Sequence, residues 1–272
     1  MSKPIRISII GTVGIPGNYG GFETLAENLV RFHADGERDE HLYVYCSSKS
    51  YDEHLDYFLT AKLTYVPLNA NGVQSVLYDI WSLTSAWKNR TDVILLLGVS
   101  GAIILPFIKL LSPVRIVTNV DGIEWRREKW RGLAKYFLRL SEKFAVRYSH
   151  EIVADNRGIA DYLNEAYKSS STVIAYGGDH AILGEPAAID DCDLPQSYAL
   201  GLCRIEAENN VHIILEAFAE CSDLPLVFVG NWKSCKYGRQ LLEKYSDFEN
   251  LYLLDPIYES DKLLAIRGRA QI

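Results

Sequence analysis

Three stretches of this 272-residue chain combine residue types that could bind or transform a ligand. The first runs from Gly11 to Glu23, GTVGIPGNYGGFE, and sets five glycines in eleven residues between an apolar run and an amphipathic segment. Glycine lets a backbone approach a ligand closely, and the helix start that follows offers N–H groups to an anion. Gly20, Gly21 and Glu23 are the candidates here, with Asn18 and Tyr19 beside them. The spacing is not GxGxxG and no Gly-Lys-Ser/Thr follows, so a dinucleotide site or a P-loop is disfavoured. A structural tight turn is the plain alternative.

The second stretch, NVDGIEWRREKW from Asn119 to Trp130, puts Asp121, Glu124, Trp125 and Arg126 on one loop. Carboxylates accept from sugar hydroxyls or take a proton, aromatic faces stack on sugar rings, and Arg holds phosphate. The plain alternative is a helix start with acidic capping and solvated ion pairs. The third, from Leu200 to His212, carries Arg204 between a strand-like run and a helical one, with Asn209 five residues on. A guanidinium at a helix N-terminus suits a diphosphate. Gly230 and Asn231 end the next apolar run in the same way.

Arg131, Lys135, Arg139, Lys143 and Arg147 recur every four residues and so share one helix face, while Trp130, Leu133, Phe137, Leu140, Phe144 and Tyr148 share another. Between Arg126 and Arg147 eight basic residues face two acidic ones, in a chain whose net charge is -7. That stripe could rest on an anionic membrane surface or attract a lipid diphosphate; a solvated face is the alternative. The six histidines (33, 41, 54, 150, 180, 212) form no HExxH or other local metal-ligand spacing, and no GxSxG elbow or cysteine nucleophile context is present.

These residues need a scaffold, and the apolar pattern supplies one. Strand-like runs at Ile5–Ile10, His41–Cys46, Leu63–Val66, Val93–Leu97, Arg115–Asn119, Glu151–Ala154 and Thr172–Tyr176 are dense in Ile, Val and Leu. Strands buried on both faces of a parallel sheet read this way. Helical segments alternate with them at Phe22–Ala34, Val73–Lys88, Ala102–Leu111, Lys129–Tyr148 and Gly158–Tyr167. The rhythm predicts a doubly wound α/β domain over residues 1–182. A stretch rich in Pro, Gly and acidic residues, 183–196, reads as a linker. A second βα series fills 197–272: strands Ser197–Leu202, Leu226–Val229 and Leu251–Leu254, helices Asn209–Cys221, Arg239–Tyr245 and Ser260–Arg269, and a strand opening at Ala270. At about 76 residues this second domain reads as incomplete.

The hydrophobic fraction of 48% and charged fraction of 23% fit an ordinary globular protein. The acidic balance excludes a globally basic nucleic-acid binder. Five cysteines without a CxxC pair argue against a disulfide framework or a thiolate metal site and suit a reducing cytosol. No leader-like segment precedes the first strand, and no apolar run is long enough to span a bilayer.

Taken together, GIPGNYGGFET, DGIEWRREKW, VADNRGIADYL, AYGGDHA, GLCRIEAENNVHIILEAF and VFVGNW resemble glycosyltransferase family 4, and within it the bacterial rhamnosyltransferase-like branch. The resemblance runs nearly end to end. It implies a GT-B fold, with two Rossmann-like domains facing across a cleft, the first for the acceptor and the second for the nucleotide-sugar donor. It implies retaining, metal-independent hexosyl transfer from dTDP-L-rhamnose to a lipid-diphosphate-linked sugar at the cytoplasmic membrane face, in the synthesis of surface polysaccharides such as capsule or O-antigen. Carried over residue by residue, Gly20, Gly21 and Glu23 would line the transferred sugar and donor phosphates. Asp121 stands where many relatives place a cleft histidine, Arg204 matches the donor-diphosphate Arg, and Asn209, Gly230 and Asn231 would complete the donor side. Asn18, Tyr19, Glu124, Trp125 and Arg126 would meet the acceptor. Two departures stand out: Asn209 replaces the family's usual Lys, and the family's Glu-x7-Glu element would fall beyond Ile272. These features imply a shortened chain and keep open a non-catalytic remnant that binds acceptor or membrane without turnover. A dehydrogenase or epimerase with a dinucleotide fold is the weakest alternative, since GxGxxG is missing.

Overall fold

The apolar runs become strands of two parallel sheets. The computed structural model describes residues 3–17, 20–36, 38–127, 130–179, 194–221 and 223–272. Backbone contacts divide the chain into two units, Met1–Tyr176 and Gly177–Ile272. Most of the expected linker, 183–193, lies outside the described residues.

In the first unit the strands are β1 (Arg6–Ile10), β2 (His41–Ser47), β3 (Tyr57–Phe58), β4 (Ala61–Val66), β5 (Val93–Leu97), β6 (Arg115–Val120), β7 (Glu151–Ala154) and β8 (Thr172–Val173). They lie in the order β3-β4-β2-β1-β5-β6-β7-β8. Every pairing is parallel except β3 with β4. Helices α1 (Gly21–Asp35), α2 (Ser75–Lys88), α3 (Leu105–Leu111), α4 (Gly132–Tyr148) and α5 (Arg157–Tyr167) connect them. Ala26 and Val30 of α1 pack with Ile9, Leu42 and Val44 on one face. Leu83, Leu105, Ala145 and Leu163 from α2 to α5 pack with Ile10, Ile94 and Ile116 on the other. β1 pairs with β2 on one side and with β5 on the other, register Ile9 to Val44 and Ile9 to Leu95. The chain thus winds outward from β1, returns, and winds the other way. Open α/β sheets bind ligands outside the carboxyl ends of the strands at this reversal.

The second unit holds β9 (Ala199–Leu202), α6 (Val211–Glu220), β10 (Leu226–Val229), α7 (Lys236–Tyr245), β11 (Leu251–Leu254) and α8 (Ser260–Arg269). Its parallel sheet has the order β11-β10-β9. Beyond α8 the chain begins to pair on the free side of β9. Ala270 bridges Tyr198, the Gln271 N–H donates to the Tyr198 carbonyl, and the Leu200 N–H donates to Ile272. Strand order therefore reverses at β9, whose carboxyl end leads into Arg204.

Several elements depart from the sequence expectations. The expected helix starts at Val73 and Ala102 are 3-10 turns, Gly72–Gln74 and Ala102–Ile104, before α2 and α3. α4 starts at Gly132, later than Lys129. α7 begins at Lys236, ahead of Arg239, because the Cys235 sulfur accepts from the Gly238 N–H and caps it. The short antiparallel β3 carries no sequence signal. α4 buries Leu138, Ser141, Glu142 and Ala145 rather than the expected apolar face. Leu133 is 87% exposed, because the inner face of α4 is chosen by polar contacts as well as by hydrophobicity.

Candidate functional site

The Gly-rich loop leaves β1 at the reversal and is held from within. Gly11 has φ +94°, and a Cβ there would sit 1.9 Å from the Leu97 carbonyl oxygen at the end of β5. Only glycine lets these two strand ends approach so closely. Glu23, in the first turn of α1, is 3% exposed. Its Oε1 accepts from the Thr12 hydroxyl at 2.8 Å and from the Val13 N–H at 2.6 Å. Glu27 one turn on accepts from the Gly17 N–H at 2.7 Å. Glu23 thus fastens the loop from within. Gly20 caps α1 in extended conformation, and a Cβ on Gly21 would touch nothing within 4 Å among the described residues. Asn18 and Tyr19 lie outside the described residues.

A second turn, after β5, flanks the same reversal. Its Ser100 hydroxyl donates to Asp79 of α2, and the Ser141 hydroxyl of α4 donates to the Val99 carbonyl at 2.7 Å. Burial pushes the Asp79 carboxyl up to about 7, against the opposing hydrogen bonds from Ser100 and the Gly101 backbone. Beside it, the Tyr78 hydroxyl lies 2.9 Å from the Thr12 carbonyl and 2.8 Å from that of Tyr45, tying α2 to the Gly-rich loop. Sequence reasoning missed Asp79. Its one signal is a lone carboxylate inside the apolar helical run SVLYDIWSL.

The third loop follows β6. Asn119 is buried, donates to the Tyr176 hydroxyl at 3.2 Å, and leaves its Oδ1 without a partner among the described residues. Asp121 is exposed at the strand end. Enclosure on its remaining sides raises its pKa to about 6, and the Glu124 and Asp155 carboxylates push the same way. Glu124 accepts from the Trp130 indole at 2.7 Å and pairs with Arg127 at 3.2 Å. Trp125 is anchored inward, its Nε1 donating to Glu142 Oε1 at 3.2 Å. That oxygen also receives the Tyr162 hydroxyl at 2.6 Å and the Tyr167 hydroxyl at 2.5 Å. Glu142, fully buried on α4, is therefore the hub on which the loop is seated. Arg126 projects over the rings of Trp125 and Tyr162, at 5.2 and 5.1 Å from their centroids.

The fourth cluster belongs to the second unit. Arg204 follows β9 and lies 3.6 Å from Glu206. Asn209 donates to the Arg204 carbonyl at 2.7 Å, and Asn231 accepts from the Ile205 N–H at 2.7 Å. A Cβ at Gly230 would come within 2.4 Å of the Ile205 side chain and 2.8 Å of the Cys203 carbonyl, so β10 must end in glycine to admit the Arg204 loop. Arg204, Asn209, Gly230 and Asn231 thus gather at one sheet edge, three of them shaping the segment that presents the fourth. Among the described residues no group of three or more His, Cys, Asp or Glu could hold a metal ion.

The family described as Domain of unknown function (DUF1972) matches residues 5–179. The chain belongs to this family. The matched span takes in all three loops of the first unit. No curated protein matches the chain. Among solved structures it is similar to UDP-N-acetylglucosamine 2-epimerase from Rickettsia bellii, at TM-score 0.60 and 14% identity over 98% of this chain and 72% of that one. The S. aureus MnaA–UDP co-structure gives TM-score 0.61 and 13% identity over 98% and 72%. A glycosyltransferase from Rickettsia africae ESF-5 gives TM-score 0.59 and 11% identity over 99% and 72%. The DUF1972 chain therefore has the mostly parallel α/β fold of GT-B-type proteins. Among the described residues no helix is long and apolar enough to cross a membrane.

Proposed function

We propose that this protein is a retaining glycosyltransferase that moves rhamnose from dTDP-L-rhamnose to a lipid-diphosphate-linked sugar during surface polysaccharide synthesis. The carrying observation is the build of the carboxyl edge of the first unit. There the Gly-rich loop, the Ser100 turn and the Asp121–Arg126 loop sit at the ends of β1, β5 and β6, flanking the reversal of strand order. The nucleotide-sugar part is supported by the fold shared with the UDP co-structure and the Rickettsia africae glycosyltransferase. The donor sugar and the acceptor are supported by the resemblance of the GIPGNYGGFET and DGIEWRREKW blocks to the rhamnosyltransferase-like branch.

In this reading Arg204, aided by Asn209, Gly230 and Asn231, faces the donor diphosphate and stabilises its departure by positive charge. Gly20 and Gly21 let the transferred sugar approach the backbone, and Glu23 holds that loop in place. Asp121 hydrogen-bonds a sugar hydroxyl, and Asn18, Tyr19, Glu124, Trp125 and Arg126 meet the acceptor. Transfer needs no metal. The protein acts on the cytoplasmic side and rests on the anionic inner membrane face. Arg131, Lys135, Arg139, Lys143 and Arg147 are all exposed along α4, with Leu133 and Tyr136 exposed beside them at 87% and 70%. Cations with flanking apolar side chains favour such a surface.

The test is incubation of the protein with dTDP-rhamnose and a lipid-diphosphate-linked glucose, with product read by mass spectrometry. Transfer that Arg204→Ala and Asp121→Asn abolish is expected. Absence of transfer with every common nucleotide sugar overturns the proposal.

A further inference from the structure

Three cations gather on one indole ring of the first unit. The guanidinium of Arg126 lies 5.2 Å from the centroid of Trp125, the ammonium of Lys135 5.7 Å and the guanidinium of Arg139 5.2 Å. Lys135 and Arg139 are one turn apart on α4, and Arg126 comes from the loop after β6. Among the described residues none of the three makes an ion pair or hydrogen bond to a carboxylate. Glu124, two residues before Arg126, accepts from the Trp130 indole and pairs with Arg127.

This arrangement is held rigidly. The Trp125 Nε1 is fixed by Glu142 and Tyr162, and Arg126 is also stacked on Tyr162 at 5.1 Å. An aromatic face attracts each cation by only about 0.5–1 kcal/mol at an exposed site, while three like charges this close repel one another. The Trp125 ring they share is bonded to Glu142, whose Oε2 is buried with no hydrogen-bond partner among the described residues. Three cations therefore face one ring without a carboxylate bonded to any of them among the described residues.

We infer that Arg126, Lys135 and Arg139, seated on Trp125, form a binding site for the diphosphate of a ligand. A guanidinium presents paired N–H donors that match two phosphate oxygens, and an ammonium adds a point charge, so three cations suit a diphosphate better than a single carboxylate. The ligand class rests on the acceptor reading above, while the site stands on the geometry of the first unit alone. It gives the acceptor's diphosphate, rather than its sugar, a place against the Trp125 loop.

Binding separates this site from the reaction. Inorganic pyrophosphate and farnesyl diphosphate are titrated against the protein at low salt by calorimetry, with phosphatidylglycerol vesicles as the anionic-surface arm. Both diphosphates are expected to bind. Arg126→Gln/Arg139→Gln is expected to weaken them by about tenfold or more per cation removed. Lys88→Gln/Arg90→Gln, which removes the same charge from exposed positions elsewhere in the first unit, is expected to change affinity less than about twofold. Arg126→Lys/Arg139→Lys retains charge and is expected to recover part of the binding, and circular dichroism verifies that each variant is folded. Equal weakening by the two Gln pairs overturns the inference, as does binding of vesicles without either diphosphate. Binding that depends on Arg126 and Arg139 without any transfer leaves the site standing and defeats the transferase reading. Transfer without such binding does the reverse.

Discussion

Glu23→Ala tests whether the Gly-rich loop depends on one buried carboxylate. Glu23 Oε1 accepts two bonds, of 2.8 Å from Thr12 and 2.6 Å from Val13, in a residue 3% exposed. A hydrogen bond to a charged acceptor contributes about 1.5–3 kcal/mol net, and a buried N–H left without a partner costs a similar amount. Alanine returns a few tenths of a kcal/mol in helix propensity at this first-turn position. The expected loss is about 3 kcal/mol or more in the first unit, a fall of roughly 6–12 °C in its Tm for a unit of this size. Urea unfolding followed by tryptophan fluorescence reads it, since Trp81, Trp87, Trp125 and Trp130 belong to the first unit and Trp232 alone to the second. Glu23→Gln keeps an acceptor oxygen and is expected to lose about half as much. Arg31→Ala, which breaks the exposed pair with Glu27 at 2.7 Å, is expected to cost under about 1 kcal/mol. A loss in Glu23→Ala no larger than that of Arg31→Ala would refute the fastening role.

Asp79 gives the fold a pH dependence of unusual sign. Its folded-state pKa of about 7 lies above the ordinary 3.8, so between these values the folded chain keeps a proton that the unfolded chain has released. The stability this group contributes is complete below about pH 4 and is lost as pH rises toward 7. Relative to Asp79→Asn, the urea midpoint of the unaltered protein is expected to fall over that range; parallel curves count against the assignment. In the second unit, Asn231→Ala strips the acceptor from the Ile205 N–H and is expected to cost about 1–2 kcal/mol. It is also expected to weaken dTDP-rhamnose binding through the Arg204 loop, and calorimetry that finds unchanged affinity would remove Asn231 from the donor side.

Much of the scaffold is legible in the chain itself. Val93–Leu97, Glu151–Ala154, Leu226–Val229 and Leu251–Leu254 are strands over the residues that their apolar runs mark out. A run of four or five largely aliphatic residues has few stable fates other than a strand buried on both faces. The Gly-rich loop is legible for a related reason, because Gly11 adopts a conformation that side chains resist and its spacing advertises it. The two-residue β3 escapes because Tyr57 and Phe58 form a strand only through β4.

The site was legible as loops and not as a set of contacts. Asp121, Glu124, Trp125 and Arg126 are adjacent in sequence, so their type and order could be read. That Trp125 turns inward to Glu142 while Arg126 stacks on Tyr162 could not, for these partners lie 17 and 36 residues further along. Asp79 and Ser100, too, meet only once α2 packs beside the turn after β5. Local sequence determines which backbone conformations are affordable and which residues avoid water. Which carboxylate meets which hydroxyl is decided by the rotation of one packed helix against another, and that rotation is a property of the whole core.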